Sequence, residues 1–590
     1  MDTDTPLAGD CRGQNFFSVD SGFRRLLGLY MADDLRGHLT PHLERLGEMA
    51  GGELDELART ADRHGPVLHP RDRFGRDAEW IEFHPAYREM ERLAMAEFGM
   101  HAMAHRPDVL DWPEALPPIA KYSFQYLFTQ AEFGLMCPIS LADTATHVFM
   151  KYADGDLRAL YAPRLLSQDM GEVWRCAQFM TEKPAGSDVG RVETTARFDA
   201  EADDGRGITG AWLLSGEKWF CSNADADVAM VLARPEGAGP GTGGLGLFVL
   251  PKTLEDGRAN AYRIVRLKDK LGTRSMASGE IKLEDAVAYP LGDLGRGFKQ
   301  MLDQVNLSRL SHGVRAAAMM RRCFNEALAA ARTREAFGGP ITDLALVRRQ
   351  LMKLLVPAEQ ALSMFCFTAD AMRRAGDEGD GGGPWSNILR LATPLIKFRA
   401  CRDNIRVATG AMEMRGGNAY IEDYVEARLV RDAQIGVLWE GTSNIIGLDA
   451  IARAVGKAGA DADLADELHR RLDDASGLPG QFRSLLAGQV DRARTFAQTA
   501  AETPERPLEV RTASGALYHA TTAALMAWEA AATGDGKRLV LSRLVAEHRL
   551  AARDPLATQA AAWEDAAASA LLDDADLGLD AAAALLEETA

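Results

Sequence analysis

Four separated stretches hold residue types that could meet in one chemical site. VLWEGTSNII, 437–446, sets Glu440 between apolar runs and follows it with Gly441. A carboxylate beside Leu438 and Trp439 is costly to bury unless paired or protonated. FMTEKPAGSDVG, 179–190, ends an apolar run with Met180 and Thr181, then turns on small residues through Ser187. SGEKWFCSNADAD, 215–227, offers Phe220 and the Ser222 hydroxyl at a strand end, and TREAFGGPI, 333–341, places Arg334 and Phe337 at a helix-to-loop turn. Thr442 and Asn444 stand just beyond Glu440. Singly, each stretch also reads as ordinary structure, Glu440 for instance as an acid near the positive end of a helix. Taken in order they suit a flavin. Main-chain N–H groups and hydroxyls would meet the polar edge of the ring and a pyrophosphate, and an arginine a phosphate.

Other motifs fail. GAGPGTGGLG, 237–246, has GxG spacings but joins two strand-like runs without a following helix, which reads as a surface hairpin loop. There is no GxxxxGK[ST] and no GxSxG, so a P-loop and a serine-nucleophile elbow are excluded. His101 and His105 are expected on one helix face, as are His38 and His42, but the glutamate of HExxH is missing and no distant carboxylate can be assigned to them. They read as structural, and no metal is expected.

The elements that must position these residues change character along the chain. At 590 residues it exceeds one core, and 47% hydrophobic with 26% charged residues is ordinary for a globular protein. No apolar run spans a bilayer, and MDTDTPLAGDCRGQNFF lacks the apolar core of a secretory signal. Seven cysteines without CxxC spacing fit reduced thiols in a cytoplasm, and the net charge of −18 argues against generic phosphate-backbone binding. Helical periodicity dominates 1–172, short apolar runs between turn signals make 173–292 a β domain, and helices return over 293–458 with a loop at GDEGDGGGP, 376–384. Residues 459–590 read as a helical extension whose last ~20 residues fray. Its part from 461 onward holds 22 Asp and Glu against 12 Lys and Arg.

MTEKPAGSDV, RLKDKLGTRSMAS (266–278), AAMMRRCF (317–324), EAFGGPI and LWEGTSNIIGLD resemble the acyl-CoA dehydrogenase superfamily over roughly 70–460. DRFGRDAEWIEFHPAYREM and LMCPISLADTAT make the resemblance closest to its AidB-like branch of alkylation-response flavoproteins. The resemblance implies an α+β fold: an N-terminal helical domain, a middle β-barrel-like domain, a four-helix bundle and, here, an extra C-terminal helical domain. It implies FAD held between domains and reaching a neighbouring subunit of a homodimer or homotetramer. Met180, Thr181, Ser187, Phe220 and Ser222 would touch the flavin or its diphosphate. Arg334 and Phe337 would reach FAD across the subunit interface, Gly416 and Gly417 would let the backbone approach it, and Thr442 and Asn444 would bind its adenosine side. Glu440 falls on the catalytic-base position. The implied reaction is α,β-dehydrogenation of an acyl-CoA thioester, with proton abstraction, hydride transfer to flavin N5 and an electron-transfer acceptor. The thioester carbonyl would be held by a ribityl hydroxyl and the Glu440 N–H.

Departures are specific. The family's QxxGGxGY stands here as EMRGGNAY, 413–420, with Glu413 and Ala419 at the variable places, and the glutamine that usually follows FG is Ala345. The acidic extension argues against nucleic acid as a partner. The alternatives are a flavin oxidase of a non-CoA small molecule and an AidB-like flavin-containing DNA-protection protein.

Overall fold

The computed structural model describes residues 8–202, 205–208, 210–379, 381–503, 507–552, 556 and 562–587. The chain forms two compact units: one of Glu53–Pro117 and Glu132–Ser308, the other of Met1–Gly52, Pro118–Ala131 and Arg309–Ala590. Among the described residues no helix is long and apolar enough to cross a membrane. All seven cysteines are buried thiols.

The first unit is built on strands. A hairpin, β1 (Val67–Arg71) with β2 (Asp77–Glu82), is separate from the main sheet of β3 (Cys176–Phe179), β4 (Thr195–Asp199), β5 (Ala211–Ser222), β6 (Val228–Pro235), β7 (Gly246–Pro251), β8 (Tyr262–Leu267) and β9 (Ser278–Pro290). Because β6 pairs with β7 as well as with β3 and β4, the path β6-β4-β5-β9-β7 closes on itself. Alternate residues of β6 enter two cores: Val228, Met230 and Leu232 one, Ala229, Val231 and Ala233 the other. A strand buried on both faces needs an unbroken apolar run, which VAMVLA supplies. The 237–246 stretch does join β6 to β7, which pair antiparallel.

Three local readings change. The helical N-terminal region contains the β1–β2 hairpin, whose turn is fixed by the Asp72 carboxylate accepting from the N–H groups of Phe74 and Arg76. Strand β8 was not expected, because arginines interrupt its apolar residues; Tyr262 and Ile264 face in while Arg263 faces out. His101 and His105 do not share a helix face. The helix Pro85–Arg92 runs into a π turn and ends before Gly99, whose φ of +57° is left-handed and whose missing Cβ would collide with Val109. A carboxylate also does meet His105: its Nε2 lies 2.9 Å from Asp143 Oδ1.

The second unit is helical. Three long helices, Gly297–Thr333 (from Arg309 onward), Ala345–Glu378 and Pro384–Arg415, with Val425–Ala433, form the bundle. The extension adds Ala460–Asp474, Gly480–Glu502, Glu509–Thr533 and Gly536–Val545. Beside its alanines it buries bulky side chains, Leu517, Tyr518, Leu525, Met526, Leu539 and Leu541 among them, and a polar network supplements this core. Arg538, 1% exposed, donates to Glu529 Oε2 at 2.8 Å and to Glu359 Oε2 at 3.0 Å, and Glu359 also pairs with Arg321. Burial pushes the Glu359 carboxyl up, but the two guanidiniums more than offset this and hold it below its usual range. The C-terminal end expected to fray is helical over Leu579–Glu587; residues 588–590 lie outside the described set, as do 1–7 of the N-terminal stretch and 380 of the 376–384 loop.

Candidate active site

In the first unit the chain leaves β3 as Met180–Thr181. The Trp219 N–H donates to the Thr181 carbonyl at 2.9 Å, which stitches this segment to β5 beside Phe220. Phe220 remains 59% exposed, and half-buried Ser222 is the last residue of β5. Lys268 Nζ sits 3.2 Å from the Trp219 ring centroid and is anchored to Glu280 at 2.7 Å. Ser187 is exposed on the turn that follows. That turn rests on a group the sequence reading did not single out. The buried Glu182 carboxylate accepts from the Glu193 N–H at 2.6 Å and from Lys218 Nζ at 2.6 Å, and the Lys218 side chain is wholly buried. A lysine inside the apolar strand AWLLSGEKWFCS was the available signal, since such a charge requires a partner.

In the second unit, Arg334 follows the helix Gly297–Thr333 and leads into a minimal hairpin, β10 (Glu335–Ala336) with β11 (Gly339–Pro340). Its tip residues Phe337 and Gly338 have φ of +56° and +95°, the left-handed pair that a two-residue I′ turn demands. Glycine takes this readily, whereas phenylalanine does so at a cost of roughly 1–2 kcal/mol, yet Phe337 is 96% exposed and gains no packing within the chain. Arg334, Phe337, Ile341, Gln350, Glu413 and Met414 line a cavity of about 300 Å³. Gly416 belongs to this group: its φ is +82°, and a Cβ there would come within 3.1 Å of Arg334 Nη1. Gly417 opens the next short turn with free space about it. The fold therefore brings Arg334, Phe337, Gly416 and Gly417 together, in a cradle with a guanidinium on one side and side-chain-free backbone on the other. That combination fits a diphosphate.

Glu440 lies in the turn before the helix Ser443–Leu448, half-buried, with φ +54°. Arg309 Nε donates to the Glu440 carbonyl at 3.2 Å, while its Nη1 pairs with Asp449 at 2.9 Å. Asp449 is also gripped by Arg390 at 2.6 Å. Lys397 Nζ donates to the Gly436 carbonyl at 2.6 Å and to that of Gly441 at 3.3 Å, so buried cations hold the turn through its main chain on both sides of Glu440. Burial pushes the Lys397 ammonium down and holds the His312 imidazole, tilted against the Trp439 ring, well below its ordinary pKa. Leu438 departs from the buried neighbourhood expected of it, being 57% exposed, while Trp439 is half-buried. Thr442 and Asn444 are exposed, and the Asn444 side-chain oxygen accepts from Arg511 at 3.2 Å. Arg309 and Lys397 were absent from the sequence reading, because one basic residue in a helix looks like any other until its partner is seen. The arrangement is a carboxylate on a strained, cation-clamped turn, a geometry suited to taking a proton at one fixed place.

Family models match in three blocks: the AidB adaptive-response N-terminal domain over residues 8–171, the acyl-CoA dehydrogenase middle domain over 177–286, and the acyl-CoA dehydrogenase C-terminal domain over 295–456. The chain is 32% identical to the putative acyl-CoA dehydrogenase AidB of Escherichia coli, over 72% of this chain and 76% of that protein. It is 30% identical to acyl-CoA dehydrogenase family member 11 of Caenorhabditis elegans, over 74% of this chain and 70% of that one. The crystal structure of Caenorhabditis elegans ACDH-11 in complex with C11-CoA superposes with a TM-score of 0.84 at 23% identity, covering 94% of each chain.

Proposed function

The chain belongs to the acyl-CoA dehydrogenase family, and on that premise we propose that it is an FAD-dependent oxidoreductase that desaturates an acyl thioester between its α and β carbons. The observation that carries the reading is the clamped turn of Glu440. A base must meet a weakly acidic C–H in one orientation, and Arg309 and Lys397 restrict the peptide that carries the carboxylate. Glu440 takes the α-proton, and its own N–H faces the thioester carbonyl, where negative charge grows as the proton leaves.

Bound FAD would supply the two-electron acceptor for the hydride that departs from the β carbon. Met180, Thr181, Ser187, Phe220 and Ser222 would hold its flavin end and Thr442 and Asn444 its adenosine side. Arg334, Phe337, Gly416 and Gly417 would hold the diphosphate of a partner subunit's cofactor, which accounts for a strained, exposed Phe337. This makes the working unit a homodimer or homotetramer. The proposed domain limits are 1–172, 173–292, 293–458 and 459–590, and the proposed setting is the cytoplasm, with an electron-transfer acceptor to reoxidise the enzyme. C11-CoA in ACDH-11 supports a CoA thioester as the substrate class.

The test is an anaerobic screen for flavin bleaching over a panel of acyl-CoA thioesters and non-CoA acids. Bleaching by thioesters, with reoxidation faster by an electron-transfer acceptor than by oxygen, is the expected result. Bleaching by non-CoA acids alone would overturn it in favour of an oxidase.

A further inference from the structure

Two residues of the diphosphate cradle stand one position beyond the ends of long helices: Arg334 after Gly297–Thr333 and Gly416 after Pro384–Arg415. The last residue of each helix is tied to the same short segment, Gly9–Cys11, which lies in the same unit. The Gly9 N–H donates to Thr333 Oγ1 at 2.6 Å, and the Gly9 carbonyl accepts from Arg415 Nη1 at 3.1 Å. The main chain of one residue therefore bridges the two sides of the cradle. So close an approach needs a glycine, since a Cβ at position 9 would lie 3.0 Å from both Thr333 Oγ1 and Thr333 Cγ2. The Thr333 hydroxyl donates its own proton to the Ala329 carbonyl at 2.8 Å, which leaves a lone pair for Gly9.

A second tier of contacts lies beneath. The buried Arg415 guanidinium also donates to Glu326 Oε2 at 3.0 Å and pairs through Nε with Glu426. Glu326 belongs to the same helix as Thr333, and it accepts from the Cys11 thiol at 2.9 Å and from Arg322 Nε at 2.9 Å. A guanidinium that serves two glutamates and a main-chain carbonyl has its plane fixed, which a lysine ammonium could not reproduce. Arg322 and Arg415 balance Glu326 and Glu426, so these charges tolerate burial. The segment is fastened on its far side as well. The Gly13 N–H donates to the Gly51 carbonyl at 2.7 Å and the Phe16 N–H to that of Gly47 at 3.0 Å, both on the helix Asp33–Gly51. It is held between two anchorages and is not a tail lying on the surface.

We propose, resting on the assignment of the cradle to FAD, that Gly9–Cys11 is a strap that sets the cradle's width, with Thr333 and Arg415 as positioning residues for Arg334 and Gly416. A diphosphate gains most from a guanidinium and a backbone edge that already stand the right distance apart, because neither then has to be ordered on binding. Arg334 is exposed and leads into a strained hairpin, so the order at this site comes from beneath it, through Thr333. On the other side, Arg415 fixes the helix end from which Gly416 departs.

The test is equilibrium dialysis of FAD against full-length, FAD-stripped variants, with phosphorus NMR of the reloaded protein. Thr333→Val keeps the branched shape and removes the acceptor; it should weaken FAD binding about three- to tenfold and shift the diphosphate resonances. Thr333→Ser restores the hydroxyl and should hold both readings at their wild-type values, and without FAD the two variants should melt alike. Arg415→Lys keeps the charge but not the three-way reach, and should weaken FAD at least as much as Thr333→Val. Affinity and resonances unmoved in Thr333→Val, or Thr333→Ser as impaired as Thr333→Val, would overturn the strap. So would weakened binding that follows dissociation of the oligomer in size-exclusion chromatography, since the segment would then serve assembly and not the cradle. Arg334→Gln separates the strap from the assignment beneath it. If Arg334→Gln leaves FAD affinity unchanged, the cradle itself is misassigned; if it weakens FAD binding while Thr333→Val does not, only the strap falls.

Discussion

Replacing Arg309 by lysine tests the clamp on Glu440. The guanidinium spans two acceptors, with Nε on the Glu440 carbonyl at 3.2 Å and Nη1 on Asp449 at 2.9 Å. A lysine carries its three donors on one nitrogen, which cannot stand at both the Nε and the Nη1 positions, and the charged Asp449 will hold it. Asp449 then keeps both the new ammonium and Arg390, so no buried acid is stranded and the stability loss should stay near 1–2 kcal/mol rather than the ~3–5 kcal/mol of a broken buried pair. The Glu440 carbonyl loses a charged donor worth about 1.5–3 kcal/mol, and the turn at φ +54° can relax. If that energy maintains the carboxylate's aim, the reductive step slows by roughly 10–100-fold. Anaerobic stopped-flow bleaching with the best thioester from the screen should show this fall in limiting rate with half-saturation changed less than about threefold. Arg390→Lys is the control, since it touches the same Asp449 but not Glu440, and it should bleach at close to the wild-type rate. An unaltered Arg309→Lys rate, or equal slowing in both variants, would refute the reasoning.

Gly416→Ala places a methyl 3.1 Å from Arg334 Nη1 on backbone at φ +82°, so FAD affinity should fall about tenfold in equilibrium dialysis while the melting temperature changes modestly. Arg538→Met strips a buried partner from Glu529 and Glu359 and should cost about 3–5 kcal/mol in urea unfolding, with the C-terminal helices losing hydrogen-exchange protection first. Burial holds the His101 imidazole down to about 4 from its ordinary 6.5. The unfolded chain therefore binds a proton that the folded chain refuses between those values, and stability should fall as pH drops through 6.5 towards 4, by about 3 kcal/mol in all. His101→Gln should flatten that part of the denaturation–pH profile, and an unchanged profile would contradict it.

Strands marked by short apolar runs between turn signals were legible, and β5, β6 and β9 begin and end where AWLLSGEKWFCS, VAMVLARP and SGEIKLEDAVAYP do, because burial on the core side leaves a readable pattern. The strand β8 and the hairpin β1–β2 were not, since exposed arginines and histidine dilute the alternation that marks a strand. In the site, Arg334, Phe337 and Gly416 could be named from motif, but their meeting depends on two left-handed residues and a glycine whose cramped position appears only in three dimensions. The supports of the turn were illegible. Arg309 lies 131 residues from Glu440, and Lys397 reaches main-chain carbonyls, which carry no side-chain signature. His105 makes the same point, since its carboxylate partner Asp143 is 38 residues away.

The central claim, that one carboxylate removes the substrate proton, is tested most directly by Glu440→Gln. Glutamine keeps the shape and removes the base. Purified with FAD and mixed anaerobically with a thioester that bleaches the wild type, the variant should stay yellow while still binding the thioester. If its flavin bleaches at the wild-type rate, the proton leaves through another group and the account fails.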